Sequence, residues 1–153
     1  MFERVCVAVD GSSHGDHALE VAIDLAGRYR STLTIVAVAP LVPVFVSPTE
    51  PWVPTGVPDV ELQAYRAIVD RAVDKAKAAG LASVTGVCLE GVIVDELVAH
   101  LDEHPADLVV MGSRGLSTAK RLLLGSVSES LLHHVNCPVL LVRAPPAKAA
   151  KAP

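Results

Sequence analysis

The chain has 153 residues, which suits one domain with a sizeable core. Its hydrophobic content of 51% fits a compact α/β protein with buried parallel strands. A formal net charge of -4 and an aromatic content of 3% leave no broad basic surface and few stacking platforms, which argues against a nucleic-acid partner.

Cys6, Cys88 and Cys137 are scattered in or beside apolar runs and form no C-x-x-C pair. They point to reduced, buried thiols and a cytoplasmic protein, not to a disulfide framework or a zinc ribbon. No signal-peptide pattern opens the chain, since a short strand already carrying Asp10 follows Glu3 and Arg4. The most apolar stretch, Ile35 to Val46, is broken by Pro40 and Pro43 and is too short to span a bilayer, so no membrane role is expected.

Val5 to Val9 reads as a first strand buried on both faces. Ser13 and Asp16 have capping-box spacing, and Ala18, Ala22, Leu25, Ala26 and Tyr29 then recur at helical intervals. Leu33 to Val38 is a second β-rich run, which completes a right-handed βαβ unit. Between Pro40 and Pro58 lie six of the eleven prolines, so this section is a loop, or a lid anchored by Phe45 and Trp52. Asp59 to Ala79 resumes helical spacing with Tyr65, Ile68, Ala72 and Ala76 on one face, and Gly80 ends it. A third strand, Val84 to Leu89, is weakened by Gly86; a helix from about Val92 to Glu103 follows and Pro105 stops it. Leu108 to Met111 is the fourth strand. Val127, Leu131 and Val135 give a last helix its apolar stripe, and Pro138 introduces a final strand, Val139 to Val142. The alternation predicts five strands and four helices, an open parallel sheet covered on both faces. Residues 1–143 form the expected single domain, and the Ala-Pro-Lys segment 144–153 a disordered tail.

The most informative stretch is Met111-Gly112-Ser113-Arg114-Gly115, followed by Gly125-Ser126. It leaves a buried strand and re-enters a helix. Glycines bring bare backbone amides close to a ligand, and the free N–H groups of a helix N-terminus attract anions, above all a phosphate chain. Ser126-Val127-Ser128-Glu129 is also an S-x-x-E capping box, which starts a helix whether or not anything binds.

The spacing G-x2-G-x9-G-S, within VVMGSRGLSTAKRLLLGSVSESLLHHVNCPVLLVR, resembles the C-terminal half of a universal stress protein domain. The opening VCVAVDGSSHGDHALEVA resembles the first strand and helix of that family, and the resemblance runs from Phe2 to Arg143. It implies the strand order 3-2-1-4-5, a Rossmann-like adenine nucleotide-binding fold, and ATP as ligand, since this spacing marks ATP-binding members. Ligands of such sheets sit beyond the carboxyl ends of the strands where the order reverses. That places Asp10 opposite Gly112 across one crevice. By the same resemblance Val9, Asp10 and Gly11 stand at the nucleotide, and the backbone of Val38 meets adenine. Met111 and Gly112 line the ribose side. Gly115, Gly125, Ser126, Val127 and Ser128 surround the phosphates; Arg114 reads by default as an exposed arginine at a loop tip, and otherwise as a partner of a terminal phosphate. Asp10 has two readings, a ligand contact (directly or through Mg2+-bound water) and a cap of its own turn with Gly11 and Ser12. Lys120 and Arg121 read as a solvated face.

His100 and His104 share a helix face at i, i+4, but lack the third ligand and the H-E-x-x-H motif of a zinc site. Neither a G-x4-G-K-[ST] loop, a G-x-S-x-G elbow nor a kinase motif set is present. The sequence therefore favours an ATP-binding regulatory protein of the stress response, with an unidentified protein partner, over an enzyme. A slow nucleotide hydrolase or phosphotransfer protein using Asp10 and Mg2+, and a nucleotide-free dimeric interaction module, are the alternatives. AMP or cyclic AMP in place of ATP stays open. In the implied order Val139 to Val142 is an edge strand with only Pro138 and Arg143 to protect it, which predicts a homodimer through that edge.

Overall fold

The computed structural model describes residues 1–41, 56–114 and 125–144. Five strands alternate with four helices: β1 (Arg4–Ala8), α1 (Ser13–Tyr29), β2 (Thr32–Pro40), α2 (Asp59–Ala78), β3 (Val84–Gly91), α3 (Ile93–Glu103), β4 (Leu108–Gly112), α4 (Ser126–His134) and β5 (Val139–Val142). All pair in parallel in the order β3-β2-β1-β4-β5. This is the expected doubly wound sheet. Phe45, Trp52, Gly115, Lys120, Arg121 and the tail beyond Ala144 lie outside the described residues.

Strand alternation sorts the apolar side chains into two cores. Val5, Val7 and Val9 join Leu33, Ile35 and Ala37 under α1 and α2, where Ala18, Ala22, Ala26, Val69, Ala72 and Ala76 meet them. Cys6, Val36, Val38, Val109 and Met111 face the other way, against Leu97 and Leu101 of α3 and Leu131 of α4. Burial raises the Cys6 thiol to about 12, so it packs as a small apolar group. The small residues of α1 and α2 let these helices lie close to the sheet. Gly86 works to the same end: a Cβ there would stand 2.6 Å from Val69 Cγ1 and 2.8 Å from Val73 Cγ2. Its place in β3 is set by helix packing.

The helix boundaries differ from expectation in their chemistry. Ser12, not Ser13, caps α1, its hydroxyl accepting from the Gly15 amide at 3.1 Å. Gly125, not Ser126, is the N-cap of α4, and no described side chain caps that end. Gly80 ends α2 as expected: at φ 93 it allows its own amide to reach Lys77 O and that of Leu81 to reach Ala76 O. Tyr29, expected on the apolar stripe of α1, is 51% exposed and meets the edge of Phe2 with ring centroids 5.4 Å apart.

At the amino end of the sheet, Asp107 ties the start of β1 to the turn before β4. Its carboxylate accepts from the Glu3 and Arg4 amides and from the Arg4 guanidinium, the last at 2.8 Å. The Arg4 bonds hold its pKa down to about 2 from an ordinary 3.8. A depressed carboxylate pKa stabilises the fold above the unfolded value and stops doing so as pH falls through the folded value. Asp107→Asn should therefore lower the melting temperature at neutral pH and flatten the loss of stability between about pH 4 and 2. An unchanged acid profile in thermal unfolding would contradict this role.

Candidate functional site

β1 and β4 are neighbours in the sheet, with Ala8 opposite Met111, yet the chain leaves them toward opposite faces. After β1 it turns into α1 on one face, and α4 follows β4 on the other. Diverging crossovers open a crevice at the carboxyl ends of the strands. A cleft lies there. Its floor is Val9 and Asp10 at the end of β1 and Met111, Gly112 and Arg114 at the end of β4. Gly125, Ser126, Val127 and Ser128 form one wall, and Val38 of β2 stands on the other side. These residues, expected together from the sequence, are brought together. Gly11 is not on the wall; it turns the chain at φ 80 beneath Ile68. Gly115 is outside the described residues.

Asp10 fulfils its capping role and still borders the cleft. Its Oδ1 accepts from the Ser12 amide at 2.9 Å and the Ser12 hydroxyl at 2.6 Å, and the Ser12 hydroxyl in turn accepts from Gly15. This chain of bonds fixes the carboxylate at the mouth of α1. Arg114, half-buried, brings the opposite charge to the cleft from the β4 side.

The start of α4 is clamped to the end of β4. The Gly125 amide donates to Ser113 O at 2.9 Å, and the buried Ser128 hydroxyl donates to Gly112 O at 3.0 Å. Both groups are thus committed to the protein. The helix ladder begins only with the Glu129 amide donating to Gly125 O. The amides of Ser126, Val127 and Ser128 occupy the first turn, where a helix has no internal acceptor for them, and no described side chain serves as cap. These three donors and the positive end of the helix dipole border the cleft.

Gly112 makes the arrangement possible. A Cβ on it would lie 2.9 Å from both the carbonyl carbon and the Cβ of His14, at the start of α1. Only a bare Cα lets β4 end against α1.

Far from this cleft, at the amino ends of the strands, His100 and His104 stack with ring centroids 4.8 Å apart beside Arg4, Cys6, Thr32 and Thr34. Burial first, and His104 second, lowers the His100 pKa. Among the described residues no three His, Cys, Asp or Glu side chains converge on a metal-sized point.

A family model described as Universal stress protein family matches residues 1–143. The chain belongs to the universal stress protein family. It is 33% identical over 150 residues to universal stress protein YxiE of Bacillus subtilis, covering 94% of this chain and 100% of that protein. It is 34% identical over 149 residues to a universal stress protein of Thermus aquaticus, covering 94% and 100%. A solved universal stress protein in complex with cAMP is 31% identical, covers 94% of this chain and 98% of its own, and has a TM-score of 0.67. The UspA protein of Lactobacillus plantarum shares the fold at a TM-score of 0.75 and 20% identity, over 94% and 99%.

Within this universal stress protein domain, sequence reasoning missed several lining residues: Ala8, Gly15, Val36, Tyr65, Ile93 and Leu97. Ile93, Leu97 and Tyr65 sit on helical stripes that read as core, and they are core at one end and cleft wall at the other. The signal that could have found them is position: each lies near the N-terminus of a helix that starts at the carboxyl end of the sheet.

Gly112→Ala tests the close approach. Forcing a methyl against the His14 backbone should destabilise the fold by about 1–3 kcal/mol, the usual cost of overpacking. Chemical denaturation that shows no loss would mean β4 and α1 can part without cost.

Proposed function

We propose that the cleft binds an adenine nucleotide, ATP foremost, and that the protein is a nucleotide-dependent regulatory binding protein of the stress response. One observation carries this reading: Ser126, Val127 and Ser128 in the first turn of α4, capped by no described side chain, line a cleft that also offers a broad apolar wall. Such an end suits phosphate oxygens. The apolar surface of Val36, Val38, Ile93, Leu97 and Met111 suits a flat base, with the Val38 backbone at its polar edge. Asp10 lies between the two, within reach of sugar hydroxyls or of water on a phosphate-bound Mg2+. A hard, six-coordinate cation of that kind keeps several waters and needs few protein ligands. The G-x2-G-x9-G-S spacing favours ATP over AMP, and the cAMP complex of a relative 31% identical supports the adenine class.

Binding, not catalysis, is the proposed role. Asp10 is the one carboxylate among the described lining residues, and its Oδ1 already holds the turn to α1. Its Oδ2 is left to accept from a sugar hydroxyl or a metal-bound water, a binding contact and not a proton transfer. The three cysteines are free thiols, which accords with a cytoplasmic home, and no described helix is long and apolar enough to cross a membrane.

Ser126→Pro tests the phosphate site cleanly. Proline is well tolerated at the first helical position, and Gly125 already has the extended conformation (φ -65, ψ 146) that a residue before proline prefers. The substitution removes one amide donor and leaves the helix, and Ser126→Ala controls for the hydroxyl. Ser126→Pro should weaken ATP binding about tenfold relative to Ser126→Ala, or roughly 1.4 kcal/mol, by calorimetry. Equal affinities would refute the amide cradle.

The partner proposed for the sheet edge is a second copy of the chain. Among the described residues β5 pairs only with β4, and its Leu140 is 36% exposed. Two-fold pairing of β5 with β5 would satisfy the backbone groups of its other edge and close the assembly. Light scattering at micromolar concentration should give twice the chain mass; a monomer would contradict the dimer. A protein that reads the nucleotide state of this dimer completes the proposal.

A further inference from the structure

We propose that Tyr65 reads the sugar: its phenolic hydroxyl, together with the Asp10 carboxylate, recognises the ribose 2′-hydroxyl and selects ribonucleotides over 2′-deoxyribonucleotides. The inference rests on the nucleotide reading of the cleft and adds to it a specificity-determining residue from α2.

The placement follows from the direction of α2. It leaves the carboxyl end of β2 and runs back toward the amino end of the sheet, so its first turns overlook the cleft. Val69, Ala72 and Ala76 are buried on the sheet. Ile68 reaches Gly11, where its Cδ1 lies 3.0 Å from the position a Cβ would take. One turn earlier, Tyr65 therefore stands beside the Asp10–Gly11 turn, and it lines the same cleft as Asp10. Its ring packs half-buried against the core of β1 and β2. A tyrosine that packs against the core and lines a cleft can keep its ring in protein and offer its hydroxyl to the cleft. Burial first and the Asp10 charge second raise its pKa, so the hydroxyl keeps its proton and remains a donor at neutral pH.

The cleft then has three zones. The apolar wall comes from β2, β4 and α3, and the phosphate-binding amides from α4. Asp10 and Tyr65 stand on the α1–α2 side. A nucleotide with its base on the first and its phosphates on the second must lay its sugar across the end of β1, with the hydroxyl edge toward the third. A ribose hydroxyl that donates to the Asp10 carboxylate keeps lone pairs to be satisfied, and Tyr65 supplies the donor. A 2′-deoxy sugar keeps only its 3′-hydroxyl, so the Asp10–Tyr65 pair loses one of the two sugar hydroxyls it could bond. Sites built to hydrogen-bond a hydroxyl reject the analogue that lacks it.

The test is calorimetric binding of ATP and 2′-deoxy-ATP to the full chain and to Tyr65→Phe, which keeps the ring and removes only the hydroxyl. The unaltered protein should prefer ATP by about fivefold or more, and Tyr65→Phe should bring that ratio close to one. Loss of ring packing alone would weaken both nucleotides alike and leave the ratio unchanged. A ratio unchanged in Tyr65→Phe, or no preference in the unaltered protein, overturns the inference while leaving nucleotide binding intact. Failure of the unaltered protein to bind either nucleotide overturns both.

Discussion

The parallel pairing of β1 with β4 is the constraint on which the site depends. Neighbouring strands whose crossovers leave for opposite faces cannot both be covered at their carboxyl ends, so a crevice opens between them. Here the register brings the ends of β1 and β4 level, Ala8 beside Met111. The pairing draws the start of α1 against β4 so tightly that position 112 admits no side chain. From the other side, Ser113 O and Gly112 O hold the start of α4 through Gly125 and Ser128. Two helix N-termini are thereby fixed around one opening, one of them closed by its own serine and aspartate, the other without a side-chain cap among the described residues.

That asymmetry gives the site its character. At α1 the Ser12 hydroxyl satisfies the Gly15 amide, and Asp10 satisfies Ser12 in turn. At α4 an S-x-x-E sequence is available, yet the helix starts one residue too early for the serine to act as cap. A capping serine must hold non-helical dihedrals, and Ser126 is already helical because Gly125 takes the boundary position. Donors that a capping serine would have satisfied have no described side-chain partner, which is what the proposed phosphate site needs. A short serine-glutamate box is thus compatible with two opposite outcomes, and the clamp from β4 decides between them.

The sheet was almost wholly legible in the sequence, since buried strands and amphipathic helices carry distinct periods and most breaks were marked by glycine or proline, the turn after α1 at Arg30 being the exception. The strand order and the nucleotide class came from the glycine spacing and the family likeness; periodicity alone is silent on both. What sequence reading missed was local or three-dimensional. The cap of α1 moved from Ser13 to Ser12 because two adjacent serines offer the same chemistry, and only the backbone selects one. Gly86 read as a weakness in β3, whereas Val69 and Val73 of α2 occupy the space its side chain would need. Tyr65 read as core because a helix stripe gives a face but not how far along that face the sheet ends. It reaches past that end into the cleft.

The central claim, that bare amides at the start of α4 receive a nucleotide's phosphates, is tested most directly by amide-proton NMR of the 15N-labelled chain titrated with ATP. Saturable shifts concentrated at Ser126, Val127 and Ser128, with Val38 responding on the base side, are the predicted result. Saturation that leaves those amides unmoved, or shifts gathered instead at the amino ends of the strands around His100 and His104, would contradict the account.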